Sequence, residues 1–252
     1  MILKNKVFII TGATSGMGKS IALQFAKEGA ILVINGRNNE RGNEVLEILL
    51  GNNKKALFVQ GDVGKPAINE KLVKCALETF GRLDGIIANA GILGLGKITD
   101  ISINDWQHTF DTNFNSFFYL SKFAIPHIIK QKGVIIANAS IAAFKNFPNH
   151  PAYCASKAAM VSLVKQMALD YGPNIRVNAI CPGPVDTPLI WDSAKAFDQP
   201  REAVNAVKES TPLRRLGSPE DIAELAVFLA SEKSSWMTGS AITIDGGIMV
   251  SH

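Results

Sequence analysis

The stretch Val7-Phe8-Ile9-Ile10-Thr11-Gly12-Ala13-Thr14-Ser15-Gly16-Met17-Gly18 joins a short apolar run, a glycine-rich turn and the start of an amphipathic segment. Consecutive apolar side chains without alternation are what a parallel strand buried on both faces requires. Downstream, Ile21, Ala22, Phe25 and Ala26 recur with helical spacing, and Gly29 after Lys27-Glu28 suits a helix C-terminus. Strand, turn and helix in that order leave free backbone N–H groups and the positive end of the helix dipole facing outward from the turn. A diphosphate fits such a place.

Runs of the same kind recur at 31–34, 56–60, 85–88, 134–137, 176–180 and 241–244, separated by longer stretches of helical periodicity. Alternating strand and helix units with crossover connections predict an α/β fold: a Rossmann-like doubly wound parallel sheet of seven strands with helices on both faces. The 252 residues, 47% hydrophobic and 19% charged, suffice for a large core, and nothing splits the chain, so one domain over 1–252 is expected. The least regular segment runs from Pro182 to Pro212, with prolines also at 184, 188 and 200; its part from 188 to 212 is the expected substrate lid. Leu189, Trp191 and Phe197 there, with Phe144 and Phe147, suggest an apolar or aromatic wall.

The net charge of +4 comes from scattered residues, so nucleic acid is not an expected partner. Cys75, Cys154 and Cys181 are odd in number and lack Cys-x-x-Cys spacing, and no run of about 18 apolar residues occurs, which predicts a cytoplasmic protein without a membrane partner. The histidines at 108, 127, 150 and 252 share no ligand spacing, and no metal site is expected.

The glycine loop has two readings beyond a plain turn. Its Gly-x-x-x-Gly-x-Gly spacing suits a dinucleotide, although it is not Gly-x-Gly-x-x-Gly. Ala13 to Ser20 also comes within one residue of the phosphate loop of triphosphatases, Gly-x-x-x-x-Gly-Lys-Ser/Thr, with Ala13 replacing the first glycine. A second motif is Tyr153-Cys154-Ala155-Ser156-Lys157, which opens a helical stretch and places phenol and ammonium on one face. A nearby cation favours the phenolate and so lowers a phenol's pKa from its usual value of about 10 toward acid–base use. The same spacing also describes an ordinary surface pair.

In order along the chain, these motifs resemble the short-chain dehydrogenase/reductase (SDR) family from Lys6 to Gly247. Thr11 to Gly18 is similar to its glycine loop, Asp62-Val63 to the pair whose carboxylate contacts adenine, and Asn89-Ala90-Gly91 to the triplet after the fourth strand. Asn113 falls in the long helix that carries the family's catalytic asparagine, Ser140 stands thirteen residues before Tyr153 like its serine, and Pro182-Gly183 with Val185 and Thr187 resembles the segment flanking nicotinamide. Ala88 and Ala139 depart from residues frequent in the family, without removing a catalytic group.

The resemblance implies an oxidoreductase that interconverts a carbonyl and an alcohol by hydride transfer with NAD(P)(H). Tyr153 would move the proton, Ser140 polarise the carbonyl, Lys157 lower the phenol's pKa and bind ribose, and Asn113 support a water-linked relay. The cofactor would be held by Gly12, Thr14, Ser15, Gly16, Met17, Gly18, Arg37, Asp62, Val63, Asn89, Ala90, Gly91, Tyr153, Lys157, Pro182, Gly183, Val185 and Thr187. A homotetramer or homodimer is implied, with interfaces near 102–130, 151–171 and Asp245-Gly246-Gly247. A dinucleotide-binding regulator without turnover is the other reading of this fold, although both Tyr153 and Lys157 are present.

After the second strand, Asn35-Gly36-Arg37-Asn38 puts glycine where an NAD-preferring protein has an acid, with an arginine beside it. That predicts NADP(H) rather than NAD(H), although Thr14-Ser15 fill a part of the loop where a second basic residue is often found.

Overall fold

The computed structural model describes residues 1–52 and 54–251; His252 lies outside the described residues. Its strands are β1 (Val7–Ile10), β2 (Ile31–Gly36), β3 (Ala56–Gln60), β4 (Gly85–Ala88), β5 (Val134–Asn138), β6 (Arg176–Pro182) and β7 (Ala241–Ile244). They form one sheet in the order β3-β2-β1-β4-β5-β6-β7, with every neighbouring pair parallel. Three strands outrun their apolar cores: β2 pairs through Asn35 and Gly36, β5 through Asn138 and β6 through Pro182. A ladder is built by backbone groups and continues under polar side chains, so hydrophobicity alone ends the strands too early.

The helices are α1 (Gly16–Lys27), α2 (Asn39–Gly51), α3 (Pro66–Phe80), α4 (Ile103–Phe110), α5 (Ser116–Ile128), α6 (Pro151–Tyr171), α7 (Pro188–Ala194), α8 (Pro200–Ser210) and α9 (Pro219–Ala230). One face of the sheet buries a core that includes Phe8, Ile21, Phe25, Val45, Ile222 and Val227, with Phe8 and Phe25 edge to face at 5.0 Å. The other face buries Leu72, Phe117, Leu120, Met160 and Val164. Because the chain winds outward from β1 to β3 and then returns to the other side at β4, a crevice opens beyond the carboxyl ends of β1 and β4. Among the described residues no helix is long and apolar enough to cross a membrane, and no cluster of potential metal ligands occurs.

The segment from Pro182 to Pro212 is not the irregular insertion expected from its prolines. It contains α7 and α8, and Pro188 and Pro200 are the first residues of those helices. There the missing N–H costs nothing and the fixed φ suits the helix, so two of the apparent breakers are starters.

At the opposite edge of the sheet, Asp84 ties β4 to β1. Its carboxylate accepts from the Val7 N–H at 2.8 Å and from Arg82 Nε and Nη2 at 2.8 and 2.6 Å, and its side chain is only 5% exposed. Replacing Asp84 with Ala strands a buried backbone donor and a guanidinium, so the expected loss of stability is about 2–3 kcal/mol, read as a lower urea midpoint at unchanged slope.

Candidate active site

The turn between β1 and α1 is tight for a visible reason. Gly12 has φ +63°, and a Cβ there would meet the Ala90 backbone at 2.9 Å, while a Cβ on Gly18 would collide with the Gly12 carbonyl. These close approaches let the first turn of α1 stand open: Ser15 makes no side-chain cap and no acid occupies that turn. A cavity of about 710 Å³ lies outside it, lined by Gly12, Thr14, Ser15, Gly16, Met17, Gly18, Arg37, Asp62, Val63, Asn89, Ala90, Gly91 and Thr187. Its long, largely backbone-lined floor, uncapped helix start and arginine rim have the shape and charge for a dinucleotide. Thr112 also lines it, with a buried hydroxyl that has no partner. Lys19 and Ser20 do not line it, and Ser20 instead donates to Glu220 of α9 at 3.1 Å, so the triphosphatase reading of Ala13 to Ser20 fails.

A polar ladder crosses the sheet from this turn to α6. Thr11 Oγ1 accepts from the N–H groups of Asn89 and Ala90 at 3.0 and 3.2 Å. The Asn89 amide donates to the carbonyls of Thr11 and Gly12 at 3.0 and 3.1 Å and accepts from Asn138 at 2.8 Å. The Asn138 carbonyl in turn accepts from Lys157 Nζ at 2.8 Å. Lys157 is buried and lies 5.6 Å from the centre of the Tyr153 ring, one turn earlier on α6. Gly91 lies near both the Asn113 amide and Lys157, since a Cβ there would sit 3.5 Å from Asn113 Oδ1 and 3.6 Å from Lys157 Nζ.

Asn113 sits in a π-helical turn, Asp111–Asn115, between α4 and α5. Its amide accepts from the Ile92 N–H at 2.8 Å and donates to the Ile92 carbonyl at 2.9 Å and to Ser156 Oγ at 3.0 Å. The side chain thereby fixes the loop after β4. Asp62 accepts from the Gly64 N–H at 3.0 Å, so it makes a turn as well as lining the cavity.

A second cavity of about 190 Å³ adjoins the first, sharing Met17, Leu93, Thr187 and Leu189. Its walls include Ser140, Tyr153, Pro182, Gly183 and Val185, with Phe147, Leu189 and Phe197. Of the expected aromatic wall, Trp191 and Phe144 are missing: both are exposed, and the Trp191 ring donates to Asp186 Oδ1 at 3.0 Å. The Ser140 hydroxyl accepts from the Ala142 N–H at 3.0 Å, which leaves its own hydrogen on the side of the cavity and of the Tyr153 phenol.

A family model described as enoyl-(acyl carrier protein) reductase matches residues 12–249. The chain is 41% identical to an uncharacterized oxidoreductase of Thermotoga maritima, over 98% of each chain. It is 35% identical to the meso-2,3-butanediol dehydrogenase of Serratia marcescens, over 100% of this chain and 97% of that one. The ligand-free aldohexose dehydrogenase of Thermoplasma acidophilum superimposes with a TM-score of 0.90 at 32% identity, over 99% of this chain and 96% of that one. The chain belongs to the short-chain dehydrogenase/reductase family. It is an oxidoreductase of a family that uses NAD(H) or NADP(H).

In this short-chain dehydrogenase/reductase, the roles of four site residues escape a reading of the sequence. Asn138 links the glycine loop to Lys157, and its only local signal is a polar residue closing an apolar strand. Arg41, in the first turn of α2, lines the first cavity with Arg37. His150 and Ser193, 43 residues apart, meet at 2.8 Å in the second cavity.

The titration of the pair on α6 differs from the expectation that Lys157 lowers the phenol. Burial pushes Tyr153 up to about 12, with the nearby Ser140 hydroxyl working the other way, and burial pulls Lys157 down to about 8. The ammonium donates to Asn138 rather than to the phenol, and in a poorly solvated site the cost of forming the phenolate exceeds what that cation returns.

A lysine that titrates near 8 when folded and near 10.5 when unfolded weakens the fold below pH 8 and regains stability as pH rises from about 8 to about 10.5. Lys157→Met is therefore expected to be at least as stable as the parent at pH 7, with the gap closing as pH rises through that window; urea midpoints measured for both proteins check it.

Proposed function

We propose that this protein is an NADP(H)-dependent carbonyl reductase or alcohol dehydrogenase acting on a small substrate. The observation that carries the reading is the junction of the two cavities, where Met17 and Thr187 are shared and the Ser140 and Tyr153 hydroxyls line the smaller one. A nicotinamide cofactor, when bound in the larger cavity, supplies or accepts the hydride.

In reduction, Ser140 donates a hydrogen bond to the carbonyl oxygen while its own oxygen is held by Ala142. Tyr153 passes its proton to the same oxygen as negative charge develops there, and the Lys157 ammonium stabilises the phenolate left behind. Asn138 holds Lys157 in place, and Asn113 holds Ile92 and the loop carrying Asn89-Ala90-Gly91. Oxidation of an alcohol runs the same proton path backwards. Gly12, Thr14, Ser15, Gly16, Met17 and Gly18 would cradle the cofactor's diphosphate, Asp62 and Val63 would flank its adenine, and Pro182, Gly183, Val185 and Thr187 would border its nicotinamide, all of them residues that line the two cavities. Helices α7 and α8 form the lid.

The preference for NADP(H) rests on Arg37 and Arg41 at the adenosine end, neither of them paired with a carboxylate among the described residues. It rests also on Gly36, which stands where an acid would repel a phosphate and where a Cβ would crowd the Thr14 side chain. The small-alcohol class is supported by relatives that are dehydrogenases of meso-2,3-butanediol and of aldohexose. Exposed Ile103, Phe118 and Leu169 support a homotetramer or homodimer through α4, α5 and α6, and free Cys75, Cys154 and Cys181 support a cytoplasmic location.

Tyr153→Phe is expected to lower kcat on any accepted carbonyl by roughly 10²–10⁴-fold, and undiminished turnover refutes the proton path. Because the ammonium is lost as pH rises through about 8, reductive kcat/KM falls above that pH while the phenol is still protonated. For the cofactor, kcat/KM with NADPH exceeds that with NADH, and Arg37→Asp reverses the order by roughly 10-fold or more; a parent enzyme that prefers NADH overturns the assignment.

A further inference from the structure

Away from Ser140 and Tyr153, the smaller cavity is almost wholly apolar, walled by Leu93, Ile141, Phe147, Leu189, Ile190 and Phe197. Thr187 turns its hydroxyl to the Val185 carbonyl. One polar place remains, where His150 at the N-cap of α6 meets Ser193 of α7.

The chemistry of that contact has a direction. His150 is 3% exposed, and its Nδ1 lies 2.6 Å from the Pro148 carbonyl, which can only accept. The ring hydrogen therefore sits on Nδ1, and in the uncharged ring Nε2 is a bare acceptor. Ser193 Oγ, 2.8 Å away, must donate to it. With its hydrogen committed, the Ser193 oxygen keeps its lone pairs and is an acceptor only.

We propose that Ser193, oriented by His150, forms a second substrate subsite that accepts a hydrogen bond from a hydroxyl on the substrate, remote from the reacting carbonyl. The substrate class is then a hydroxy ketone, or the diol made from it, in preference to a plain ketone or a diketone. An apolar pocket with one committed acceptor rewards a donor there, and an acceptor in that place leaves two oxygens facing each other. The inference rests on the oxidoreductase reading of the same site. His150 is a positioning residue in it, and Ser193 is the group that touches substrate.

Ser193 can be altered without freeing the lid, because the Asn149 amide also reaches the Ala196 carbonyl at 3.4 Å. The experiment compares kcat/KM for four- to six-carbon ketones with their hydroxylated and diketone counterparts, using either NADPH or NADH. The parent enzyme is expected to favour the hydroxy ketones by about tenfold. Ser193→Ala removes that preference by raising KM for the hydroxy ketones about tenfold more than for the plain ketones, and Ser193→Thr retains it. His150→Phe frees the Ser193 hydrogen and moves the preference toward the diketones. An equal fall on all three substrate types in Ser193→Ala, or an active parent enzyme that does not discriminate, overturns the subsite alone. Turnover of no carbonyl or alcohol with either cofactor overturns the oxidoreductase reading and the subsite with it.

Discussion

One buried hydrogen bond organises this molecule: the Lys157 ammonium on the Asn138 carbonyl at 2.8 Å. A lysine so enclosed is costly, as its fall to about 8 records, and it persists because the strand ends beneath it are already cross-linked. Asn138 holds Asn89, Asn89 holds the carbonyls of Thr11 and Gly12, and so the charge on α6 is fixed relative to the glycine turn. The position of the ammonium is thus a property of β1, β4, β5 and α6 together.

That arrangement separates stability from use. The edge of the sheet away from the crevice is satisfied in the ordinary way, with Asp84 meeting both a backbone donor and a guanidinium. The carboxyl edge instead carries a desolvated lysine, a phenol held protonated by burial, and a buried Thr112 hydroxyl without a partner on the wall of the larger cavity. A fold tolerates a few such groups where the rest of the core is well packed. The π-helical turn at Asp111–Asn115 belongs to the same edge, turning the Asn113 amide onto Ile92 and Ser156.

The segment from Pro182 to Pro212 shows how a local signal can mislead. Prolines at 188 and 200 break a helix only when they stand inside one, and here each begins one. Trp191 and Phe144 are large and apolar, yet the orientation of α7 and of the loop after Ser140 turns both to the surface while Leu189, Phe147 and Phe197 face the cavity. Composition names the residues available for a wall. Which of them form it depends on how a seven-residue helix is rotated, and contacts with distant segments set that rotation.

By itself the sequence determined the parts that short-range sterics and burial control. Strands covered by helices must be apolar runs, so all seven are legible; Gly12 is required by its positive φ and Gly18 by its approach to the Gly12 carbonyl within the same turn; Tyr153 and Lys157 share a face because helical geometry repeats. Tertiary structure alone decided what depends on partners far along the chain: Asn138 as the support of Lys157 and the His150–Ser193 contact. It also decided the direction in which Tyr153 titrates. Spacing shows that a cation is near, but the balance between its attraction and the loss of solvation is set by everything that encloses the pair.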